Sequence, residues 1–177
     1  MATIRLVLAI LCVGFTGSFR MSDRNLLDTR SKLVIRAEKE VGVREATGHN
    51  DGVAVAEYLR SVGLNRPEPW CAAFVCWVYQ KEGLNKPRSG WSPDLFPTSR
   101  LARSALPGDV IGIYFPNLKR IAHVGIVERI DGDFITTIEG NTNVYGSREG
   151  DGVYRKKRHV RTLYRIADWI TERGIKK

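Results

Sequence analysis

The sequence predicts an α+β domain in which helices come first and a run of short strands follows, with one buried helix packed on an antiparallel sheet. Three observations carry this. Apolar residues recur at helical spacing from Thr29 to Gly63. Beyond Pro87 the pattern becomes short runs of β-branched and aromatic residues separated by turn residues. Between the two regions, Trp70 to Glu82 is apolar almost throughout, as a helix enclosed on all sides would be.

In chain order, MATIR supplies one positive charge and LVLAILCVGF runs from Leu6 to Phe15 without a charged group. That length suits a signal peptide rather than a membrane span, which needs about 20 apolar residues. Small residues at Thr16 to Ser18 place cleavage after about Ser18. Residues 1–18 are thus read as a signal peptide and 19–28 as a short linker. Residues 29–177 are read as one domain without repeats or a second apolar run. A lipid-attachment role for Cys12 is weak, because Leu11 is bulky where a small residue is wanted. A start at Met21 is the alternative to export.

The first helix carries Leu33, Val34, Ala37 and Val41 and ends at Gly42. The second starts with Asn50 or Asp51 as N-cap, with His49 in the same cap, and runs through Val55 and Tyr58 toward Gly63. Pro67 and Pro69 break the chain before the third helix, which closes at Gly83 and contains both later cysteines. The strands are DVIGIYFP, AHVGIVERI, FITTIEGN, GVYRKKRHV and LYRIADWI, with a hairpin turn at Asp131 to Asp133.

Composition limits the function. A chain of 177 residues with 43% hydrophobic and 27% charged content supports an ordinary core. Three cysteines cannot build a disulfide framework in place of one. The net charge of +9 favours an anionic partner. Nucleic acid is disfavoured, because the basic run Arg155 to Arg158, with Arg161 and Arg165, has only Tyr154 and Tyr164 near it for stacking. That run reads as a solvated face attractive to anionic polymer.

Cys71 and Cys76 are five residues apart, about 140° around a helix, so they do not share a face. The spacing suits neither a redox pair nor a zinc half-site, and His49, His123 and His159 do not complete a metal set. Cys76 reads as a small core residue. Cys71 falls in the helix's first turn, where unpaired N–H groups and the positive dipole end lower a thiol pKa and can hold an oxyanion.

A reactive thiol needs a base and the base an orienting group. His123, opening a strand after the loop FPNLKRIA, is the candidate base. Glu139 and Asn141, two apart near the end of the next strand, project from one face, and either could hold the imidazole. Trp91, and Tyr114 with Phe115, are candidates for bordering the cleft, with loop packing as the alternative for each.

These residues resemble a CHAP domain, the cysteine, histidine-dependent amidohydrolase/peptidase group of the papain-like superfamily. The matching pieces are EVGVRE with the GHNDG turn, PWCAAFVCWVY, PGDVIGIYF, AHVGIVERIDG and ITTIEGNTN. The resemblance implies a papain-like fold with the nucleophile on a helix facing the sheet, and cleavage of amide bonds in bacterial peptidoglycan. It implies Cys71 as nucleophile, His123 as base and Glu139 and Asn141 as the acid and amide completing the site; beside it, Trp70, Trp91 and Tyr114 are read as candidate substrate contacts, and Trp70 with Pro69 as setting the turn that delivers the thiol. No cofactor or metal is expected; some relatives bind calcium, but Asp131 and Asp133 read as a turn. The expected partner is peptidoglycan, with anionic wall polymer on the basic strand residues, and the expected state a monomer. Export to the periplasm or outside follows from the signal peptide, and a cytoplasmic phage-lysin-type protein follows if Met21 is the start. A binding module of the same fold that does not cut, and a thiol amidohydrolase toxin, are the alternatives.

Overall fold

The structure is a computed structural model that describes residues 17–145 and 150–171. Its first helix, α1 (Gly17–Lys39), has no glycine or proline after its first residue, and it turns Leu33 and Ala37 into the core. Residues 19–28 are therefore helical, not a linker. An Asp28–Lys32 pair lies on its outer face and the Arg30 side chain on its inner face. Arg30 is buried and donates to Asp109 (2.7 Å) and to the Pro107 carbonyl (3.0 Å), with Asp168 also 3.0 Å away. The predicted signal peptide lies almost wholly outside the described residues.

Helix α2 (Val53–Ser61) is capped by Gly52 at φ 102°, with no side-chain cap, rather than by Asn50 or Asp51. Gly52 turns the backbone so that the Asp51 carboxylate faces back to accept from the Thr47 N–H (2.9 Å) and hydroxyl (2.7 Å). Helix α3 (Cys71–Lys81) is buried from Cys71 to Tyr79. It ends where Gly83 takes φ 78° and Leu84 N–H reaches back to the Tyr79 carbonyl (3.0 Å).

The strands β1 (Val110–Phe115), β2 (Arg120–Asp131), β3 (Phe134–Thr142), β4 (Gly152–His159) and β5 (Arg165–Ala167) form one antiparallel sheet ordered β4-β3-β2-β1-β5. The Asp131 to Asp133 segment is the predicted tight turn, with Asp131 paired to Phe134 and Gly132 at φ 56°. Helix α3 lies against Val110, Val124, Ile126 and Ile138, while α1 and α2 close its other sides through Leu33, Ala37, Val55 and Leu59. Tyr58, Trp70, Phe74 and Trp77 make an aromatic cluster at that junction. A smaller apolar group, Ile111, Val127 and Ile135, forms a second cluster with Ala105, Val160 and Leu163. This is the predicted α+β arrangement, a buried helix on an antiparallel sheet. Among the described residues no helix is long and apolar enough to cross a membrane.

Candidate active site

The site begins with a turn. Pro67 and Pro69 precede Trp70, whose backbone (φ −117°, ψ 11°) leads into α3, and the Phe74 N–H bonds the Trp70 carbonyl at 2.8 Å. The N–H groups of Cys71, Ala72 and Ala73 are left without intrahelical acceptors. Trp70 is fully buried against Tyr58 and Phe74, and its Nε1 donates to Glu45 (2.7 Å). It sets the turn from inside the core and does not line the cleft, which corrects the expectation of substrate contact.

His123 and Glu139 meet across neighbouring strands, with Nε2 2.9 Å from Oε2. Gly125, two residues after His123 on β2, makes room: a Cβ there would overlap the Glu139 side chain. Arg158 reaches from β4 to both carboxylate oxygens, Nε to Oε1 at 2.5 Å and Nη2 to Oε2 at 2.5 Å, and the Thr137 hydroxyl also donates to Oε1. With Nε2 committed to Glu139, Nδ1 is the nitrogen left for the Cys71 thiol. Nδ1 has no partner in ordinary hydrogen-bond geometry among the described residues, so thiol and ring interact as close neighbours short of ideal alignment.

The electrostatics follow from burial working against partners. Burial opposes ionisation of Cys71, but His123, then the Ser92 hydroxyl and the Val124 backbone, hold its pKa below the ordinary 9.0. Burial also opposes charge on His123, yet Cys71 and Glu139 lift its pKa to about 9. For Glu139 burial is again the largest influence and is outweighed, by Arg158 first and His123 next, giving about 2. These contacts favour the ionised form of Cys71 beside a protonated imidazole, backed by a carboxylate and a guanidinium.

Asn141 lies elsewhere in the site. The β3 register shifts between Glu139 and Thr142, and Asn141 takes φ 54°, so the two side chains part. Asn141 Oδ1 accepts the Trp70 N–H (3.1 Å), and its Nδ2 donates to Asn50 Oδ1 (3.0 Å) and the Gly150 carbonyl (3.0 Å). Glu139 alone faces the imidazole, while Asn141 fixes the turn that delivers Cys71. The shared face expected from a two-residue spacing is lost to this bulge.

Two clefts flank Pro69. The one reaching Cys71 has a volume of about 440 Å³ and includes Trp91, Ser92, Arg120 and Ala122 in its walls. Trp91 is half-exposed with the Arg120 guanidinium 3.9 Å above its ring, at the predicted position beside the thiol. Ser92, not predicted, is buried with its hydroxyl 3.5 Å from Cys71 Sγ. Tyr114 is not in this cleft and packs on Tyr164, ring centroids 4.8 Å apart, a second correction. The other cleft, about 770 Å³, has Glu45, His49, Asn50, Asn141 and Tyr145 in its wall. His49 belongs there, bonded through Nδ1 to Thr47, and not to a helix cap.

The basic run on β4 is only in part turned away from solvent. Arg158 holds Glu139; Arg155 pairs with Glu128 (2.8 Å) and Glu38 (3.1 Å); Lys156 donates to the Asn143 and Val144 carbonyls. Arg155, though paired, stays exposed, as do Lys157, lying over the Phe134 ring, Arg161 and Arg165. The sequence concealed this because charge runs look alike whether their heads reach solvent or a partner. Signals for Gly125 and Arg158 existed only in register: one sits beside His123 on its strand, the other reaches Glu139 across the β3–β4 ladder. Among the described residues no group of three His, Cys, Asp or Glu side chains could hold a metal.

No curated protein matches this chain. One similar solved structure is the NlpC/p60 domain of peptidoglycan hydrolase SagA, 17% identical with a TM-score of 0.45, covering 78% of this chain and 97% of that one. The CHAP domain family model matches residues 63–141, the span that begins ahead of α3, ends at Asn141 and contains Cys71, His123 and Glu139.

Proposed function

We propose that this protein is a cysteine-dependent amidohydrolase of bacterial peptidoglycan. The observation that carries the reading is the series Cys71, His123, Glu139, with Cys71 in the wall of a cleft and the other two buried behind it, within the segment matching the CHAP domain. In the proposed reaction the Cys71 thiolate attacks the carbonyl carbon of a muramyl-alanine amide or a wall peptide bond. The first-turn amides of α3 and the Ser92 hydroxyl are placed to receive the developing oxyanion. The imidazolium gives its proton to the departing amine, leaving a thioester on Sγ and a neutral ring. His123 then takes a proton from water, whose oxygen attacks the thioester. The acid product leaves, and thiolate and imidazolium are restored.

This role suits an exported protein, acting in the periplasm or outside the cell. The test is release of soluble fragments from purified sacculi. Cys71→Ser abolishes release, by at least about 10⁴-fold, with the thermal transition little changed, and His123→Ala abolishes it in a protein that still melts cooperatively at a lower temperature. Retained lysis in either variant sinks the assignment, and binding without release by the unaltered protein would favour a wall-binding module. Mass spectrometry of the fragments distinguishes new peptide amines from lactyl ends freed of peptide.

A further inference from the structure

We propose that Arg158 is the positioning residue of this site: its guanidinium fork grips both oxygens of Glu139, aims Oε2 at His123 and keeps a full negative charge behind the imidazole. The inference rests on the amidohydrolase reading for its effect on turnover, but its geometry stands apart from any substrate. Glu139 is 0% exposed. Its oxygens meet only His123, Thr137 and Arg158 among the hydrogen-bonding groups of the described residues. A carboxylate so enclosed, lacking a cation at its back, takes up a proton or swings from its partner. Protonated, it no longer stabilises an imidazolium, and the thiolate loses its counter-ion in turn.

The charges alternate through four elements: Cys71 negative on α3, His123 positive on β2, Glu139 negative on β3, Arg158 positive on β4. They sum to zero, so removing Arg158 leaves one uncompensated negative charge in the interior. That charge is relieved by proton uptake, on Glu139 or on Cys71, and either route weakens the thiolate–imidazolium pair. The other polar groups facing the series are the Ser92 and Thr137 hydroxyls and the Val124 backbone; two further cations lie close by, Lys156, which feels the Glu139 charge, and Arg120 in the cleft wall with its guanidinium on the Ile121 carbonyl and the Trp91 ring. Lys156 cannot take over, because its ammonium is spent on the Asn143 and Val144 carbonyls at 2.8 and 2.7 Å. Nor is a lysine at 158 equivalent, since a point charge cannot bridge both oxygens in the plane of the carboxylate.

The experiment measures the rate of Cys71 alkylation by iodoacetamide against pH, alongside fragment release from sacculi and a thermal melt. The proteins compared are the unaltered chain, Arg158→Met, Arg158→Lys and, as control, Arg155→Met. The expected result is an acid limb displaced upward by about one pH unit or more in Arg158→Met. Arg158→Lys moves by less than that but still loses at least about 10-fold in release, while Arg155→Met superimposes on the parent. A cooperatively melting Arg158→Met whose profile superimposes on the parent overturns the proposal. If Arg158→Met does not fold, Arg158→Lys decides: parental profile and parental release together overturn it. A parent protein that shows the low-pH reactivity and the Arg158→Met shift, yet releases nothing from sacculi, sinks the peptidoglycan reading and leaves Arg158 in its role.

Discussion

Cys71 and Cys76 sit five residues apart on one helix, both almost fully buried, and they are driven in opposite directions. Burial pushes the Cys76 thiol up to about 12, and its bonds with the Ser89 backbone, at 3.4 Å each way, do not offset this. Cys71 meets the same burial, yet its pKa falls. The difference is not the helix but the neighbours: a protonated ring, a hydroxyl and a backbone donor converge on one sulfur, and a loop backbone on the other. Position in the first turn is thus only part of what activates a thiol; the partners brought by β2 decide it. Cys76, read from sequence as plain core, also braces the loop that carries Trp91 and Ser92.

The comparison can be broken most severely at His123. In His123→Ala the Cys71 pKa should rise toward that of Cys76, with alkylation of Cys71 at pH 7 falling at least about 10-fold. Peptide mapping after timed labelling reads this. Glu139→Gln comes next. It leaves the Arg158 guanidinium facing a neutral amide, so a loss of about 3–5 kcal/mol in stability by denaturant titration is expected, with fragment release down about 10²–10⁴-fold. Its sign can be checked with acid. The Glu139 carboxylate stabilises the parent above its ordinary value of 4.5, and that contribution fades as pH falls toward about 2; the variant should lack it.

A milder way to sharpen the contrast is pH itself. The active pair requires thiolate and imidazolium together, so kcat/KM should form a bell. Its acid limb follows proton uptake by the pair, and its alkaline limb falls as His123 loses its proton near pH 9. A profile that keeps rising above pH 9 would mean the ring acts in its neutral form. The smallest effect belongs to Cys76→Ala, which should cost about 1 kcal/mol from lost packing and the Ser89 contacts. Release from sacculi should stay within about twofold.

Much of this was legible beforehand where local pattern and tertiary role coincide. The three helices, the five strands and the turn at Gly132 follow apolar period and turn residues, and Cys71, His123 and Glu139 follow from chemistry with the resemblance beside it. Elsewhere local pattern misled. The early part of α1 looked like a linker because the apolar helical period begins only at Leu33, and Arg30, whose ion pairs to Asp109 and Asp168 hold the helix to the interior, carries no apolar signal. Trp70 looked like a cleft residue because it adjoins the thiol, but α3 turns its ring into the core. Asn141 looked like a second partner for His123 because spacing in a strand assumes no bulge. Arg158 was hidden in a basic run, since no periodicity tells a salt-bridged head from a solvated one.

The most direct test of the central claim is the labelling of both cysteines in the unaltered, folded protein at pH 6.5, with each site quantified by mass spectrometry. Iodoacetamide should modify Cys71 through its cleft and leave Cys76 untouched until the chain is unfolded. Equal labelling of the two, or a Cys71 that reacts only above pH 9, would contradict the account.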